Sequence, residues 1–216
     1  MNKKMTVIIS AAVMVGLFAV AALIYKKNQD EIANAKARAH AEALVRPYAP
    51  VFGNPDAKVT IVEFFDPACE TCALFYPLVK EIMSMHGDKT RLVLRYAPFH
   101  PGSDKLVLML EAARKQDKYQ LALETMLGTQ QTWASHHDPQ PELVWQLLAQ
   151  AGIDIARLQQ DMASPELVQR LEQDVTDLKA LKVEKTPSYF VNGEPLTEFG
   201  AQQLHDLIAK HVNNIP

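Results

Sequence analysis

Seven consecutive residues, Val59 to Phe65 (VTIVEFF), are almost entirely apolar. Because side chains alternate between the two faces of a strand, a run that is apolar on both faces predicts a central strand covered by helices on both sides. Residues 66–68 (DPA) break the strand, and a helix is predicted from Cys69 to about Met85. A second strand is predicted from Arg91 to Tyr96. The order strand, helix, strand predicts a right-handed parallel crossover.

A long helical stretch is predicted to follow the second strand. Apolar residues recur at helical spacing in Ser103 to Tyr119 and again in Gln120 to Leu127. Trp133 to Pro141 is interpreted as a polar loop. Asp154 and Ser164 have the residue types and positions of N-caps for further helices.

The chain then returns to strand before it ends in a helix. Ser188 to Val191 is predicted as a strand, and Asn192-Gly193 is a strong hairpin signal that leads to a short strand near Pro195-Leu196. Phe199 to Val212 is predicted as the last helix. The predicted fold class is therefore α/β, in the order βαβ, a helical insertion at about 103–182, and ββα.

The N-terminal residues 1–27 are predicted to form a membrane anchor. Lysines flank an apolar run from Met5 to Tyr25, which is as long as the roughly 20 residues that a spanning helix needs. Residues 19–21 (AVA) offer a signal-peptide cleavage site, so a cleaved secretory signal is the alternative. The apolar run continues past that site, which favours the uncleaved anchor. Both interpretations carry the remaining chain across a membrane.

Residues 28–48 are predicted to be a helical spacer, and residues 49–216 are predicted to be the globular domain. The segment from Asn28 to Arg46 is rich in Ala, Glu, Lys and Arg and has no Gly or Pro. Pro47 ends this helix. A solvated spacer is the plainer interpretation, and self-association through residues 28–46 is the alternative.

The chain has two cysteines, Cys69 and Cys72, and only two residues separate them. A disulfide between them closes too small a loop to stabilise the fold through loop entropy, so a chemical role is favoured. Cys69 lies at a strand-to-helix junction, where free backbone N–H groups and the helix dipole lower the pKa of a thiol. Cys72 lies one turn further on, where it can resolve a mixed disulfide.

A metal site is the main alternative use of such a pair. Zinc needs two further ligands, but the chain has no other cysteine, and His136 and His137 are adjacent rather than at ligand spacing. We therefore predict no metal and no other cofactor. A Cu(I) metallochaperone remains a less favoured alternative. The net charge of −3 without a basic stripe argues against nucleic-acid binding.

The chain resembles the thioredoxin superfamily, and more closely its DsbA-like branch of thiol–disulfide oxidoreductases. The resemblance is carried by Val59–Phe65 leading into the Cys-x-x-Cys motif at 69–72, by Pro77 in the following helix, by Thr186-Pro187 before a strand, and by the helical block. It covers the chain from about Ala49 onward. The resemblance implies that Pro187 is cis and packs beside the disulfide, and that Thr186 and Pro187 shape the substrate-binding groove.

Glu63 is the second candidate catalytic group beside the two cysteines. A carboxylate in an apolar central strand is costly to bury, and the resemblance implies a buried acid at this position beneath the active site. Such a group can take the proton from Cys72 as that thiol attacks. An ion pair of Glu63 with Lys89 or Lys105 is the structural alternative.

Three residues bear on the direction of electron flow. The resemblance implies that Thr at position 186 is common in isomerase-like and reductase-like members. Glu70 and Thr71 stand where the strongest oxidase of this branch has Pro-His. A carboxylate next to Cys69 raises the thiol pKa and makes the disulfide less oxidising.

The predicted protein is a periplasmic or other extracytoplasmic thiol–disulfide oxidoreductase that exchanges disulfides with substrate proteins through Cys69 and Cys72. The architecture favours a dithiol oxidase, and a disulfide reductase or isomerase is the alternative. The expected partners are substrate proteins and a membrane redox protein that recycles the pair. The expected location is the outer face of the inner membrane, or the soluble periplasm after cleavage.

Overall fold

The computed structural model describes residues 3–134 and 138–215, without the side chains of residues 3–22 and Ala33. The chain divides into two compact units, Met1–Glu42 and Ala43–Pro216. The domain boundaries predicted at residues 27 and 48 stay predictions.

The first unit lies in helix α1 (Lys3–Leu44). The helix ends two residues before the predicted Arg46 and three residues before Pro47, whose ring cannot continue a helix. Within the residues whose side chains are described, no helical stretch is both long and apolar enough to cross a membrane. The structure does not describe most side chains of the predicted anchor, Met5 to Tyr25. It describes none of those at the predicted cleavage site, residues 19–21.

A five-stranded mixed sheet forms the centre of the second unit. Its strands, in the spatial order β1-β3-β2-β4-β5, are β1 (Val51–Gly53), β2 (Val59–Phe65), β3 (Thr90–Tyr96), β4 (Ser188–Val191) and β5 (Glu194–Pro195). Strands β2 and β3 are parallel, as the crossover predicts, while β4 pairs antiparallel with the other edge of β2. Strand β2 is therefore central, and its Glu63 lies directly between Leu94 and Tyr189.

The turn between β4 and β5 has the chemistry that its sequence predicts. Asn192 and Gly193 both have positive φ values, 47° and 86°, as a type I′ hairpin requires. The Asn192 side chain also accepts a hydrogen bond from the Thr60 backbone N–H at 2.8 Å, which fixes the hairpin against β2. Strand β5 ends at Pro195, so the predicted strand at Pro195-Leu196 is one residue too far along the chain.

The first strand was not predicted from the sequence. Strand β1 pairs antiparallel with β3, and Val51 lies opposite Val93. Gly53 ends the strand with a φ of +88°, and a Cβ atom there would lie 2.8 Å from the Thr90 carbonyl oxygen. The close approach of the β3 backbone therefore requires glycine at this position.

Helices make up most of the rest of the second unit. Those described are α2 (Glu70–His86) with a 3₁₀ turn at Gly87–Lys89, α3 (Ser103–Arg114), α4 (Tyr119–Gly128), α5 (Gln130–Trp133), α6 (Pro141–Gln150), α7 (Ile155–Met162), α8 (Pro165–Ala180) and α9 (Ala201–Asn213). Asp154 and Ser164 are the N-caps of α7 and α8, as predicted. The last helix begins at Ala201 rather than at the predicted Phe199.

Two predictions within the helical block are wrong. The helix predicted to reach Tyr119 ends at Arg114, because Asp117 adopts a left-handed φ of 58° that breaks the helix. The polar loop predicted from Trp133 begins one residue later. Trp133 closes helix α5, is 1% exposed, and donates its indole N–H to the Met126 carbonyl oxygen at 3.1 Å. Burial of this large ring stabilises one further helical turn. The polar residues around Trp133 gave no sign of this turn in the sequence.

Helices cover both faces of the sheet, as the apolar run of β2 predicts. Ile61 and Phe65 belong to a large apolar cluster that includes residues of α2 and α9. Val62 and Phe64 point to the opposite face and pack in a smaller cluster that includes Leu178 of α8. The alternation places Glu63 on the same face as Ile61 and Phe65, which is the face that α2 covers.

A buried ion cluster joins β3 to α8. The Arg95 side chain is fully buried, and its guanidinium lies 2.8 Å from the carboxylate of Asp174 and 2.7 Å from that of Asp177. Asp177 also accepts two hydrogen bonds from Arg46, at 2.7 and 2.8 Å. Arg95 donates further hydrogen bonds to the Ala43 and Leu44 carbonyl oxygens. Each buried charge in the cluster therefore has an opposite charge beside it.

Candidate active site

The two thiols lie at the start of helix α2, where the sequence predicted them. Cys69 is the N-cap residue, with φ −76° and ψ 117°, and its Sγ accepts a hydrogen bond from the Cys72 backbone N–H at 3.4 Å. The first N–H groups of a helix have no partner within the helix, so they stabilise a negative charge on this sulfur. Both cysteines are free thiols in the structure. Pro77 lies further along the same helix, as predicted.

The two thiols differ strongly in acidity. Hydrogen bonds from the Cys72 and Thr186 side chains and from the backbone at Cys72 and Thr71 outweigh burial and lower the pKa of Cys69 from 9.0 to about 6. Burial, the hydrogen bond to Cys69 and the charge of Glu63 raise the pKa of Cys72 well above 9.0. Cys69 is 7% exposed and Cys72 only 1%. Cys69 is therefore the thiolate that a substrate can reach, and Cys72 is the thiol held beneath it.

Thr186 and Pro187 lie beside the thiols. The Thr186–Pro187 peptide bond is cis, as the resemblance implies. The Thr186 carbonyl oxygen accepts a hydrogen bond from the Cys69 thiol, with 3.4 Å between sulfur and oxygen. Strand β4 begins directly after Pro187, so the sheet holds this segment against the start of α2.

Glu63 lies beneath the thiols, on the face of the sheet that α2 covers. It is 2% exposed, and its Oε2 atom makes no hydrogen bond within the described part of the chain. Burial raises the pKa of Glu63 from 4.5 to about 8, although the neighbouring Tyr189 hydroxyl lowers it and the charge of Cys69 raises it further. Among the described residues no lysine forms a salt bridge with Glu63, and Lys105 pairs with Glu142 instead. The ion-pair alternative is therefore not what the structure contains.

The two residues between the cysteines have different surroundings. Glu70 is the first residue of α2 and is exposed to solvent. Solvent and salt weaken the effect of its charge on Cys69. Thr71 acts through its backbone, which is one of the groups that lower the pKa of Cys69. His136 and His137, which the metal alternative required, lie outside the described residues.

Asp66 was not singled out from the sequence, where it served only as a strand breaker. The side chain is fully buried and its two oxygens accept hydrogen bonds from the backbone N–H groups of Ala68, Phe99 and His100, at 2.7 to 2.9 Å. The Ser103 hydroxyl lies 2.5 Å away and the His100 Nδ1 atom 2.8 Å away. Asp66 therefore ties the turn before Cys69 to the segment after β3. The signal available in the sequence was an aspartate directly after a strand predicted to be central.

Gln130 was also missed. It is the first residue of α5, is 5% exposed, and donates from Nε2 to the carbonyl oxygens of Pro67 at 2.8 Å and of Cys69 at 3.1 Å. No local sequence pattern distinguishes this glutamine from its neighbours, because its partners lie about 60 residues earlier in the chain.

A groove of about 540 Å³ opens beside Cys69. It lies between the first turns of α2 and the corner where α4 meets α5. Its lining residues are Glu70, Ala73, Leu74, Leu127, Gly128, Gln130, Gln131 and Ala134. Leu74 is 69% exposed, so the groove offers an apolar contact on the first turns of the helix that Cys69 caps.

Solved structures with the same fold include oxidoreductases of this kind. A thioredoxin-like oxidoreductase from Silicibacter pomeroyi DSS-3 is 29% identical, with a TM-score of 0.70, and the match covers 81% of this chain and 98% of that one. The alpha-DsbA1 protein of Wolbachia pipientis is 15% identical, also with a TM-score of 0.70, over 81% of this chain and 96% of that one. The predicted resemblance to DsbA-like proteins is therefore confirmed at the level of the fold.

Two kinds of curated relative match the chain. A "Putative protein-disulfide oxidoreductase" of Rickettsia bellii is 24% identical over 75% of this chain and 64% of its own length. An Na(+)/H(+) antiporter NhaA of Herminiimonas arsenicoxydans is 30% identical over 67% of this chain but only 22% of its own length. The chain thus spans about a fifth to a quarter of the length of the antiporters that it matches.

The family model for thioredoxin matches residues 45–210, which include both cysteines, Glu63 and the cis-proline segment. This match covers more than half of the chain and coincides with the described sheet and its helices. The chain therefore belongs to the thioredoxin family, and its fold is that of the DsbA-like thiol–disulfide oxidoreductases.

Proposed function

We propose that the protein is an extracytoplasmic thiol–disulfide oxidoreductase that exchanges disulfides with substrate proteins and favours dithiol oxidation. The observation that carries the proposal is the unequal pair: Cys69 has a pKa of about 6 at a helix N-terminus, and the more deeply buried Cys72 has a raised pKa. A stabilised thiolate is a good leaving group, so a disulfide that contains Cys69 accepts electrons more readily than one between ordinary thiols.

The reaction starts from the Cys69–Cys72 disulfide. A substrate thiolate attacks Sγ of Cys69, the bond to Cys72 breaks, and Cys72 leaves with the electron pair and takes up a proton. A second substrate thiolate attacks the substrate sulfur of the mixed disulfide, and Cys69 leaves as a thiolate. The substrate has then lost two electrons and gained a disulfide, and the cysteine pair has gained both electrons.

Glu63 supplies the proton to Cys72 in this direction, and in the reverse direction its ionised form removes that proton. Burial is the main cause of the raised pKa of Glu63, which is about 8 when both thiols are reduced, and burial favours the protonated acid that can donate when Cys72 leaves the disulfide. Glu63 and Cys72 also influence each other electrostatically, because the charge of Glu63 raises the pKa of Cys72. The proposed cycle uses these side chains and no metal, flavin or nucleotide.

The substrate lies across Thr186 and Pro187 in this proposal. The Thr186 carbonyl oxygen, 3.4 Å from the Cys69 sulfur, is close enough to be reached by a substrate backbone that approaches Cys69. The groove beside Glu70 and Leu74 then receives the side chains next to the substrate cysteine.

Direction, location and partners complete the proposal. The exposed position of Glu70 favours the oxidase over the reductase or isomerase alternative, because a solvated carboxylate raises the Cys69 pKa less than a buried one. The apolar run from Met5 to Tyr25 between lysines supports an anchor that places the second unit outside the cytoplasm, where disulfides persist. A membrane redox protein recycles the pair, and self-association through residues 28–46 is the alternative to a solvated spacer.

The assignment of the two thiols is tested by trapping. We expect a Cys72→Ser variant to accumulate substrate proteins as mixed disulfides on Cys69, because the resolving thiol is gone. The complexes are detected as bands that disappear on reduction in non-reducing gels of cells that express the full chain. Cys69→Ser is the matched control and should trap nothing. Trapping by Cys69→Ser alone would reverse the roles, and trapping by neither would refute the proposed function.

A further inference from the structure

The amide of Gln130 connects the helical block to the turn that carries Cys69. Both hydrogen bonds come from Nε2, one to the Pro67 carbonyl oxygen at 2.8 Å and one to the Cys69 carbonyl oxygen at 3.1 Å. An amide NH₂ group has two hydrogens, so these bonds use its full donor capacity. The side chain is 5% exposed, and little water can take over its role.

The two acceptors belong to the backbone of the turn that carries the reactive sulfur. Pro67 lies in the turn between β2 and α2, and the Cys69 carbonyl oxygen also accepts the N–H of Ala73 at 3.2 Å, the first backbone bond of the helix. The position of the Cys69 backbone decides whether its Sγ meets the Cys72 N–H. A donor that also withdraws electron density from two carbonyl oxygens reduces the negative potential near a thiolate.

The backbone of Gln130 is held within the helical block. Its own carbonyl oxygen accepts the Ala134 N–H at 2.7 Å, and the same short helix ends at Trp133, which is buried in the core. Gln130 also lines the groove beside Cys69, so a substrate side chain in that groove contacts the residue that holds the turn.

We propose that Gln130 is a positioning residue through which the helical block sets the reactivity of Cys69. This inference rests on the proposed function, since the reactivity in question is that of the exchanging thiol. Gln130 touches the backbone of the turn and not the reacting sulfur atoms, so it acts through Cys69.

The test compares the full-length reduced protein with a Gln130→Met variant, which keeps the length of the side chain and removes both donors. The pH dependence of iodoacetamide alkylation measures the pKa of Cys69. We expect Gln130→Met to raise that pKa by at least about half a pH unit, because the released turn no longer aligns the Cys69 Sγ with the Cys72 N–H, whose hydrogen bond stabilises the thiolate. Its disulfide should be correspondingly less oxidising in glutathione buffers.

Gln131→Met is the matched control, because Gln131 lines the same groove but is exposed, and it should leave the pKa unchanged. Gln130→Glu keeps the shape of the side chain without the N–H donors and should raise the pKa as well. Cooperative unfolding shows which of the two Gln130 variants is folded. If the Cys69 pKa of a folded Gln130 variant equals that of the wild type, the proposal is overturned. A lower Tm with an unchanged pKa also overturns it, because that result describes a structural role alone.

Oxidation of a model dithiol peptide is measured separately with wild-type protein that has first been converted to the Cys69–Cys72 disulfide form and freed of the oxidant. Failure of the wild type in this assay counts against the proposed function. The alkylation comparison does not depend on exchange activity, so the two proposals fail separately.

Discussion

In water a carboxyl group loses its proton at lower pH than a thiol, but in the folded protein Cys69 loses its proton at lower pH than Glu63. The ordinary pKa values are 9.0 for the thiol and 4.5 for the carboxyl, and in the folded protein they are about 6 and about 8. At neutral pH the site therefore holds a thiolate at the helix N-terminus above a protonated acid. Burial causes the change at Glu63, whereas donated hydrogen bonds cause it at Cys69.

Stability should depend on pH through Glu63. Because the folded pKa is raised, the unfolded chain releases the Glu63 proton between about pH 4.5 and 8 while the folded protein keeps it. The contribution of Glu63 to stability is therefore greatest at low pH and is lost as the pH rises through this window. We expect Glu63→Gln, which cannot ionise, to gain stability relative to the wild type with increasing pH, by at most about 1.4 kcal/mol per pH unit.

Urea unfolding of both reduced proteins from pH 5 to 8.5 measures this difference. Cys69 contributes the opposite slope, since its lowered pKa adds stability as the pH rises from about 6 to 9. Both proteins contain Cys69, so to first order its contribution cancels in the comparison. Free energies of unfolding that stay parallel across this range would show that Glu63 is ionised in the folded protein.

The residues of the site differ in how far the sequence could predict them. Glu63 stands out because an acid interrupts an apolar strand, and the cysteine pair stands out by its spacing. Gln130 could not be found in this way, because its role arises only when α5 packs against the turn before α2. A polar residue whose partners are backbone groups distant in the chain has no periodic pattern of its own.

At the scale of elements, the sequence predicts best where burial is strong and local. Strand β2 was predicted with its observed bounds, because a strand covered by helices on both faces is apolar at nearly every position. Strand β1 was missed because three residues at an edge are half-exposed and held by pairing with β3. The break between α3 and α4 depends on one left-handed residue, Asp117, whose type permits that conformation without requiring it.

The ion cluster between β3 and α8 should be important for stability. Asp177→Asn removes the charge that faces both Arg95 and Arg46 and leaves the buried guanidinium with one carboxylate. We expect a loss of about 3 kcal/mol or more in the free energy of unfolding, as for other broken buried ion pairs. Chemical denaturation measures the loss.

Glu166→Gln is the control for this prediction. Glu166 lies on the same helix and forms an exposed pair with Arg170 four residues later, which typically contributes about 0.5 kcal/mol or less. If the two substitutions lower the free energy of unfolding equally, the buried cluster contributes no more to stability than a surface ion pair does.

At the scale of the whole molecule, the order of elements predicted the fold class. The parallel crossover, the helical block and the final hairpin and helix occur in the predicted order. The central place of β2 was predicted from its apolar run, and the observed order β1-β3-β2-β4-β5 confirms it. The direction of electron flow does not follow from topology, because it depends on the potential of the cysteine pair relative to its partners.

The redox potential should lie between those of the strongest oxidase of the DsbA-like branch and thioredoxin, about −120 and −270 mV. The reason is that the Cys69 pKa of about 6 lies between the values of about 3.5 and 7 for the reactive thiols of those two proteins. Equilibration in glutathione buffers followed by thiol trapping gives the value. Glu70→Gln should change it little, because Glu70 is exposed. A potential at or below that of thioredoxin would favour the reductase alternative.

The five hydrogen bonds to Asp66 bear on the speed of exchange. Asp66 holds the turn through partners within the protein, and its backbone N–H is one of the groups that stabilise a charge on Cys72. When the disulfide opens, negative charge moves onto the Cys72 sulfur. The Asp66 N–H dipole that stabilises this charge is already oriented, so no water molecules have to reorient. The reorganisation energy of the step is therefore small, because it was spent once, when the chain folded.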